Sequence, residues 1–296
     1  MIVILTALEV EYRAMREQLS GLRRHRHSAG TLFEIGAFER HPEKEIALAL
    51  TTAGNASAAI MTERAINEFS PQTVIFVGVA GGLAKWLVIG DVVVATKVYA
   101  YHGERSEGDG DKFRPRAYEP SHELEQLARS LARKNEWCAE TGAGQSRPQV
   151  HFEPIASGEV VLNTRNSPTA RLLDRNFNDA VAVETEGAGV AQSAHLQGDL
   201  PTITVRGISD FADGNKDAVD RTGSQELAAR HAALFARALI LAIEPGTGPG
   251  HDEPPEQAGP KGMSVVNNVH GKGNNVVQAG VINGGVQMGG RPPRRR

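Results

Sequence analysis

The chain has 296 residues, of which 40% are hydrophobic and 23% charged, the composition of an ordinary globular protein long enough to bury a substantial core. Its single cysteine, Cys138, excludes an intrachain disulfide and fits a reducing cytoplasm. The formal net charge is −3, but residues 263–296 hold five basic and no acidic side chains, so the preceding 262 residues carry a net charge of −8. Nucleic acid is not an expected partner of such an acidic domain.

The first part of the chain alternates apolar strands with amphipathic helices. Residues 2–5 form a continuous apolar run, which is typical of a strand buried on both faces, and residues 9–19 show helical spacing. No basic residue precedes the apolar run, so it does not predict a secretory signal. The same patterns predict strands at residues 31–35, 46–51, 73–77 and 91–98, and a helix at residues 54–69.

The alternation continues after a charged, glycine-rich stretch at residues 103–116, which is predicted to be a loop. Ser121 is a suitable N-cap for a helix over residues 121–133. Strands follow at 151–156, 180–183 and 202–205, and helices begin near Glu186 and cover 224–243. The order predicts an α/β fold with a mixed or mostly parallel sheet covered by helices. No apolar run approaches the ~18 residues of a membrane span, so we expect a cytoplasmic protein with no membrane partner.

The composition changes at Glu244. Residues 1–244 form the predicted globular domain, and the proline- and glycine-rich residues 245–262 are typical of a flexible linker. Residues 263–290 are rich in valine, asparagine, glutamine and glycine, and residues 291–296 form a basic end.

Four short segments of the predicted domain carry carboxylates or glycines directly after an apolar strand. Open α/β sheets bind their ligands at such strand ends. The segments are Ala-Leu-Glu-Val-Glu at 7–11, Gly-Val-Ala-Gly-Gly-Leu at 78–83, Val-Glu-Thr-Glu-Gly at 183–187 and Val-Arg-Gly-Ile-Ser-Asp at 205–210.

In combination and in this order, the four segments resemble the nucleoside phosphorylase superfamily, and in particular its hydrolytic branch, the methylthioadenosine/S-adenosylhomocysteine nucleosidases. The resemblance covers about residues 1–244. It implies a three-layer fold with a central mixed sheet, an enzyme that acts on a purine nucleoside or nucleotide, and a homo-oligomer, a dimer or larger. It implies no cofactor, and the ten histidines form no metal-binding motif.

The resemblance also implies roles for three carboxylates. Asp210 matches the general acid that protonates the purine at N7, and Glu186 matches the acid that hydrogen-bonds the ribose hydroxyls. Glu11 matches the carboxylate that orients and deprotonates the attacking water, as in glycoside hydrolysis. The remaining substrate contacts are expected at Ala80, Gly81, Val161, Leu162, Glu184, Thr185 and Ser209.

The chain departs from the family at three positions. Val79 stands where the methylthioadenosine nucleosidases have serine, Thr185 where they have methionine, and Val161 where they stack an aromatic ring on adenine. These changes favour a substrate other than the thioether nucleoside. The phosphate loop of the phosphorolytic relatives is replaced by residues 7–11 with two acids, which favours hydrolysis over phosphorolysis.

Basic residues of the 103–116 stretch are candidates for binding a 5′-phosphate, since arginine binds phosphate bidentately. The stretch holds four acids as well as four basic residues, so a solvated loop is the alternative. The candidates in this stretch are Arg105, Lys112 and Arg116, and Lys216, soon after Asp210, is another.

Residues 263–290 hold no acid and no proline, and such valine-, asparagine- and glutamine-rich segments favour stacked cross-β structure. Their core, Val277, Gln278, Ala279 and Gly280, resembles the homotypic interaction motif of receptor-interacting protein kinases, and the whole segment resembles bacterial amyloid signalling sequences. The resemblance implies a partner: a sensor protein with a matching motif. A disordered tail is the alternative.

Three functions remain open. The first is a nucleosidase effector of bacterial defence or programmed cell death, which releases a base, adenine by expectation, from ATP or a related nucleotide. The second is a metabolic methylthioadenosine/S-adenosylhomocysteine nucleosidase. The third is a catalytically inactive purine-sensing adaptor that works through its tail.

Overall fold

The computed structural model describes residues 1–107, 110–134, 137–138, 147–198, 200–214 and 223–244, with the backbone alone at residues 104–107 and 110–112. The predicted linker and tail, including Val277–Gly280, lie outside the described residues, as does Lys216. Among the helices of the described part, none is long and apolar enough to cross a bilayer.

The described residues form twelve strands and six helices. The strands are β1 (Ile2–Thr6), β2 (Ser20–Arg26), β3 (Leu32–Phe38), β4 (His41–Leu50), β5 (Thr73–Gly82), β6 (Val92–Ala100), β7 (Glu104–Glu107), β8 (Gly110–Phe113), β9 (Arg116–Tyr118), β10 (Val150–Ser157), β11 (Ala182–Glu184) and β12 (Thr202–Asp210). The helices are α1 (Glu9–Arg16), α2 (Asn55–Phe69), α3 (His122–Lys134), α4 (Pro168–Asn176), α5 (Gly187–Leu196) and α6 (Ser224–Ala242).

The main sheet is mixed and has the strand order β11-β10-β6-β12-β5-β1-β4-β3-β2, with β9 beside β6. Strand β1 pairs in parallel with β4 and β5, and β5 pairs in parallel with β12. Strands β2, β3 and β4 form an antiparallel meander at one edge. The predicted mixed sheet is therefore confirmed.

Alternate residues of the central strands face opposite helical layers, because side chains in a strand point to the two faces in turn. Ile2 and Ile4 pack in a core with residues of α1, α3 and α6. Val3 and Leu5 pack in a second core with residues of α2 and α5. The predicted three-layer arrangement is confirmed, and it explains why the strands are continuous apolar runs rather than alternating ones.

The far end of the sheet closes on itself. Strand β11 pairs in parallel with β10 and also in antiparallel fashion with the end of β5, through Ala182 with Gly82 and Val183 with Gly81. This closure brings the carboxyl ends of β5, β11 and β12 around one place, beside the end of β1. These are the strand ends that carry the four segments singled out in the sequence.

The structure corrects the prediction of a loop at residues 103–116. Strands β7 and β8 form a hairpin that pairs outside the main sheet, and β9 joins β6. A hairpin that contributes no strand to the main sheet needs no apolar face, so its sequence lacks the alternation that predicts strands.

Three further elements differ from the prediction. Strand β2 is a largely exposed edge strand rich in arginine and histidine, and it was missed. Helix α4 was also missed. Helix α1 ends at Arg16 rather than at Leu19, because tight turns from Met15 and Arg16 to Gln18 and Leu19 replace its last turn.

Candidate functional site

A cavity of about 250 Å³ opens at the ends of β1, β5, β11 and β12. All ten residues that the sequence proposed as catalytic or substrate-binding line it. They are Glu11, Ala80, Gly81, Val161, Leu162, Glu184, Thr185, Glu186, Ser209 and Asp210. The closure of the sheet is what brings these distant segments together.

Glu11 sits in the first turn of α1, and its carboxylate turns back toward the start of the helix. The N–H groups of Ala7 and Leu8 donate to Oε2 at 2.8 and 2.9 Å, and that of Val79 donates to Oε1 at 2.8 Å. Burial raises the pKa of Glu11, while the Arg206 charge and these three N–H donors lower it without offsetting the burial. Glu11 is therefore a fixed carboxylate with a greater affinity for a proton than a solvated one.

Arg206 lies beneath the cavity in the middle of β12 and has no solvent exposure. Its Nη2 donates to Glu184 Oε2 at 2.5 Å and lies 3.9 Å from Glu186 Oε2. Its guanidinium carbon lies 3.8 Å from the centre of the Phe76 ring. The arginine thus couples two of the site's carboxylates from below.

The space for Arg206 depends on Gly78. A Cβ at this position would overlap Arg206 Nη1 and come within 2.7 Å of the Glu11 carboxylate carbon. Gly78 therefore allows the guanidinium and the Glu11 carboxylate to approach the same point from opposite sides.

The Nε and Nη1 groups of Arg206 are buried and have no hydrogen-bond partner among the described residues. Buried guanidinium N–H groups without a partner are costly, so they indicate a place for a bound polar ligand or water. This place adjoins Glu11. Arg206 stands within one of the four segments of the sequence, and no role was predicted for it. The signal was present, because a charge within an otherwise apolar strand must be paired.

Glu184 and Glu186 lie just before the first residue of α5, Gly187. Glu184 accepts hydrogen bonds from the N–H groups of Glu186 at 3.0 Å and Gly187 at 2.8 Å, so it caps the helix while pairing with Arg206. Glu186 accepts from the Gly54 N–H at 3.0 Å and from the Thr185 hydroxyl. Glu186 Oε2 is thus left facing Arg206 and the cavity.

Asp210 ends β12 and is 2% exposed. The Ser209 hydroxyl donates to its Oδ2 at 3.0 Å, and the Ala212 N–H donates to its Oδ1 at 2.9 Å. A Cβ at Gly81 would lie 3.1 Å from Oδ1, so this glycine leaves room for the carboxyl group. These two hydrogen bonds hold the carboxyl group in one orientation at the cavity, whose apolar lining includes Val161, Leu162 and Val183.

Six lining residues were not among the predicted site residues: Leu8, Ala53, Val79, Val160, Val183 and Gln225. Val161 is 65% exposed where it lines the cavity. Because this residue is a valine, it offers no aromatic ring at that position. Gln225 enters from the first turn of α6. Gln225 lies far in sequence from the four recognised segments, so no sequence pattern indicated that it would line the cavity.

Of the four candidate phosphate-binding residues, Arg116 alone has a described side chain. Arg116 is exposed on β9 and does not line the cavity. The side chains of Arg105 and Lys112, and all of Lys216, lie outside the described residues. Among the described lining residues there is no lysine or arginine. No cluster of three or more metal-ligating side chains occurs in the described part of the chain.

Comparisons with known proteins match most of the described domain. The family model described as "Phosphorylase superfamily" matches residues 1–243. The 5′-methylthioadenosine/S-adenosylhomocysteine nucleosidase of Staphylococcus saprophyticus is 30% identical over 73% of this chain and 88% of its own. The ATP nucleosidase Cap17 of Escherichia coli is 29% identical over 73% of this chain, and the match spans 47% of that longer relative.

The fold is also similar to that of a solved nucleosidase. The crystal structure of 5′-methylthioadenosine/S-adenosylhomocysteine nucleosidase from Neisseria meningitidis in complex with methylthio-immucillin-A has a TM-score of 0.67 and 26% identity, covering 81% of this chain and 98% of that one. Nucleosidases are N-glycosyl hydrolases, so the prediction of an enzyme of this kind is confirmed. The chain belongs to the phosphorylase superfamily.

Proposed function

We propose that the chain hydrolyses the N-glycosidic bond of a purine nucleoside or nucleotide, with Asp210, Glu186 and Glu11 as its working carboxylates. The observation that carries the proposal is that the three line one cavity, each fixed by hydrogen bonds at its own strand or helix end. Glycoside hydrolysis needs an acid on the leaving group, charge stabilisation at the sugar and a base on water.

Asp210 acts on the leaving group. When protonated, it donates to N7 of the purine as the bond from the base to C1′ of the ribose breaks. The electron pair of that bond passes to the base, which leaves as the neutral purine. The Ser209 hydroxyl and the Ala212 N–H keep the carboxyl group from rotating away.

Glu186 acts on the sugar. Its carboxylate accepts hydrogen bonds from the ribose hydroxyls and stabilises the positive charge that develops at the ribose ring. Thr185 donates to Glu186 Oε1, and the Gly54 N–H donates to the same oxygen, so Oε2 is the oxygen available to the substrate.

Glu11 and Arg206 act on water. The unpartnered N–H groups of Arg206 hold the water oxygen, while the Glu11 carboxylate accepts its proton as the oxygen bonds to C1′. Proton transfer to a positioned carboxylate is general-base catalysis. The carboxylates around this place would repel a phosphate nucleophile, which favours hydrolysis.

We further propose an adenine nucleotide such as ATP as the substrate and a role as an effector in bacterial defence or programmed cell death. The similarity to an ATP nucleosidase supports this, as do Val79, Thr185 and Val161 in place of the residues expected for a thioether nucleoside. The metabolic alternative draws support from the larger number of relatives named methylthioadenosine/S-adenosylhomocysteine nucleosidases. The inactive-adaptor alternative is disfavoured by the intact set of fixed carboxylates.

Two parts of the proposal concern residues that are not among the described lining residues. Arg105, Lys112, Arg116 and Lys216 remain candidates for binding the 5′-phosphates, and the tail with Val277–Gly280 is proposed to form amyloid with a sensor protein. Joining a fibril would cluster the catalytic domains, which are proposed to act as a dimer or larger oligomer.

The proposal is tested by incubating the full chain with ATP, methylthioadenosine and adenosine, with and without pre-formed tail fibrils, and following free adenine by chromatography. Release of adenine from ATP supports the effector. Release from methylthioadenosine alone supports the metabolic enzyme, and no release supports the adaptor.

Asp210→Asn should lower kcat by about 10²- to 10⁴-fold because the general acid is lost. An unchanged kcat would exclude Asp210 from this role.

The pH dependence tests the coupling of Glu11 to Arg206. A base works only when deprotonated, and the Arg206 charge favours the deprotonated form of Glu11. Arg206→Met should therefore raise the pKa of Glu11 further and move the acid limb of kcat/KM to higher pH by about one pH unit. Arg206→Lys keeps the positive charge, so it should shift the acid limb of kcat/KM less than Arg206→Met does. Circular dichroism checks that both variants fold, and an acid limb that stays in place in both would contradict the coupling.

The phosphate-binding proposal is tested by Arg116→Ala. If Arg116 binds a 5′-phosphate, the variant should lose turnover of ATP while keeping that of adenosine, because only the former has the charge it would pair with. Arg24→Ala, at an exposed arginine on the remote edge strand β2, is the control. Equal losses on both substrates would contradict the proposal.

The tail proposal is tested with a peptide of residues 263–290. We expect it to form thioflavin-positive fibrils, and we expect a Val277→Pro peptide not to, because proline removes an N–H from the cross-β ladder. Sedimentation measures the fraction assembled. A native peptide that stays monomeric and thioflavin-negative at high concentration would contradict the proposal.

A further inference from the structure

Arg165 lies in the segment between β10 and α4, behind the wall of the cavity, and its guanidinium bridges three backbone carbonyls. Its Nη2 donates to Gly82 O at 2.6 Å, its Nη1 to Leu83 O at 2.9 Å and its Nε to Phe211 O at 2.9 Å. The side chain is thus used at all three of its nitrogen atoms, in the planar geometry that only arginine offers.

The three carbonyls belong to the two strand ends that form the leaving-group end of the cavity. Gly82 and Leu83 directly follow Gly81 at the end of β5, and Phe211 directly follows Asp210 at the end of β12. The register between these strands shifts between Ile208 and Asp210, where Asp210 pairs with Gly81. A bulge disrupts the regular ladder locally, so Arg165 supplies a link between the strands where the backbone ladder becomes irregular.

The turn after Asp210 carries backbone strain. Ala212 is fully buried and has a φ of 50°, in the left-handed region that residues with a Cβ rarely adopt. This conformation directs the Ala212 N–H to Asp210 Oδ1. Strained backbone persists only where the surrounding structure holds it. The bond from Arg165 to the carbonyl of Phe211 holds the residue between Asp210 and Ala212.

The positive charge of Arg165 interacts with two carboxylates of this turn, those of Asp210 and Asp213. Arg165 is partly open to solvent. Its partial burial lowers its pKa, and the charges of Asp213 and Asp210 act against that lowering by favouring the guanidinium cation. Arg165 is therefore a cation that links two strand ends, and it does not line the cavity itself.

We propose that Arg165 is the positioning residue of the leaving-group end, which holds the Asp210 turn against the end of β5 so that the Asp210 carboxyl group is aimed into the cavity. The inference rests on the proposed role of Asp210 as general acid. Misplacing a catalytic group by about 1 Å costs on the order of 10² in rate. Arg165 is thus expected to affect kcat rather than substrate binding.

A second cavity, of about 640 Å³, reaches Arg165 from the outer side. It is lined by Trp86, Arg171, Phe177 and Phe211 among others, and it is separate from the wall of the first cavity. A small cation in solution therefore has access to the place that the Arg165 guanidinium would vacate. This makes chemical rescue possible as a readout.

The experiment uses the full chain with Arg165→Ala and the substrate that the wild-type chain turns over. We expect kcat to fall about 10- to 100-fold, with KM within about twofold of the wild-type value. Guanidinium chloride up to about 50 mM, far below denaturing concentrations, should restore kcat in a saturable manner, while sodium chloride of equal concentration should not. Arg171→Ala is the matched control, because Arg171 lines the same second cavity but donates to Asn166 O instead.

The outcomes separate the inference from the function on which it rests. A wild-type kcat in Arg165→Ala, or a loss that guanidinium does not restore, overturns the role of Arg165. If Arg165→Ala does not fold, Arg165→Lys replaces it, and a wild-type kcat in that variant is equally contrary, because lysine cannot bridge all three carbonyls in one plane. An Asp210→Asn variant with wild-type kcat overturns the proposed general acid, whatever the Arg165 variants do.

Discussion

The site depends on a buried ion pair between Arg206 and Glu184. Removing two charges from water costs several kcal/mol each, and their attraction compensates only when geometry and hydrogen bonding are good. Here Glu184 is satisfied by two N–H groups at the start of α5, and the guanidinium packs on Phe76. The remaining N–H groups of Arg206 are buried and have no hydrogen-bond partner among the described residues. A charge in the sheet interior is thus tolerated because it is paired with Glu184 and packed on Phe76.

Three of the four carboxylates that line the cavity accept hydrogen bonds from backbone N–H groups at or near helix starts. Glu11 takes those before α1, Glu184 those at the start of α5, and Glu186 that of Gly54 before α2. Helix N-termini favour negative charge and leave N–H groups without helical partners. The helices therefore contribute twice: their apolar faces cover the sheet, and their first turns orient the acids. Burial nevertheless raises the pKa of Glu11, which suits a group that must accept a proton.

Much of the fold could be predicted from the sequence because its central elements are buried and strongly patterned. The apolar runs of β1, β5 and β6, and the helices α2, α3 and α6, lie where periodicity and capping placed them, within a few residues at their ends. The elements that were missed or misjudged, β2, α4 and the β7–β8 hairpin, are short or exposed. Such segments satisfy their backbone hydrogen bonds without an apolar face, so their sequences carry no period to detect.

The candidate site divides in the same way. Sequence alone determined which acids and glycines stand at strand ends, and so it named Glu11, Glu186 and Asp210 along with Ala80 and Gly81. It also recognised the change of composition at Glu244. Only the tertiary structure decided that β11 closes onto β5, that Gly78 makes room for Arg206 beside Glu11, and that Arg165 joins two strand ends behind Asp210. These are contacts between residues far apart in the chain, whose existence depends on how the sheet folds back on itself, and no local pattern records them.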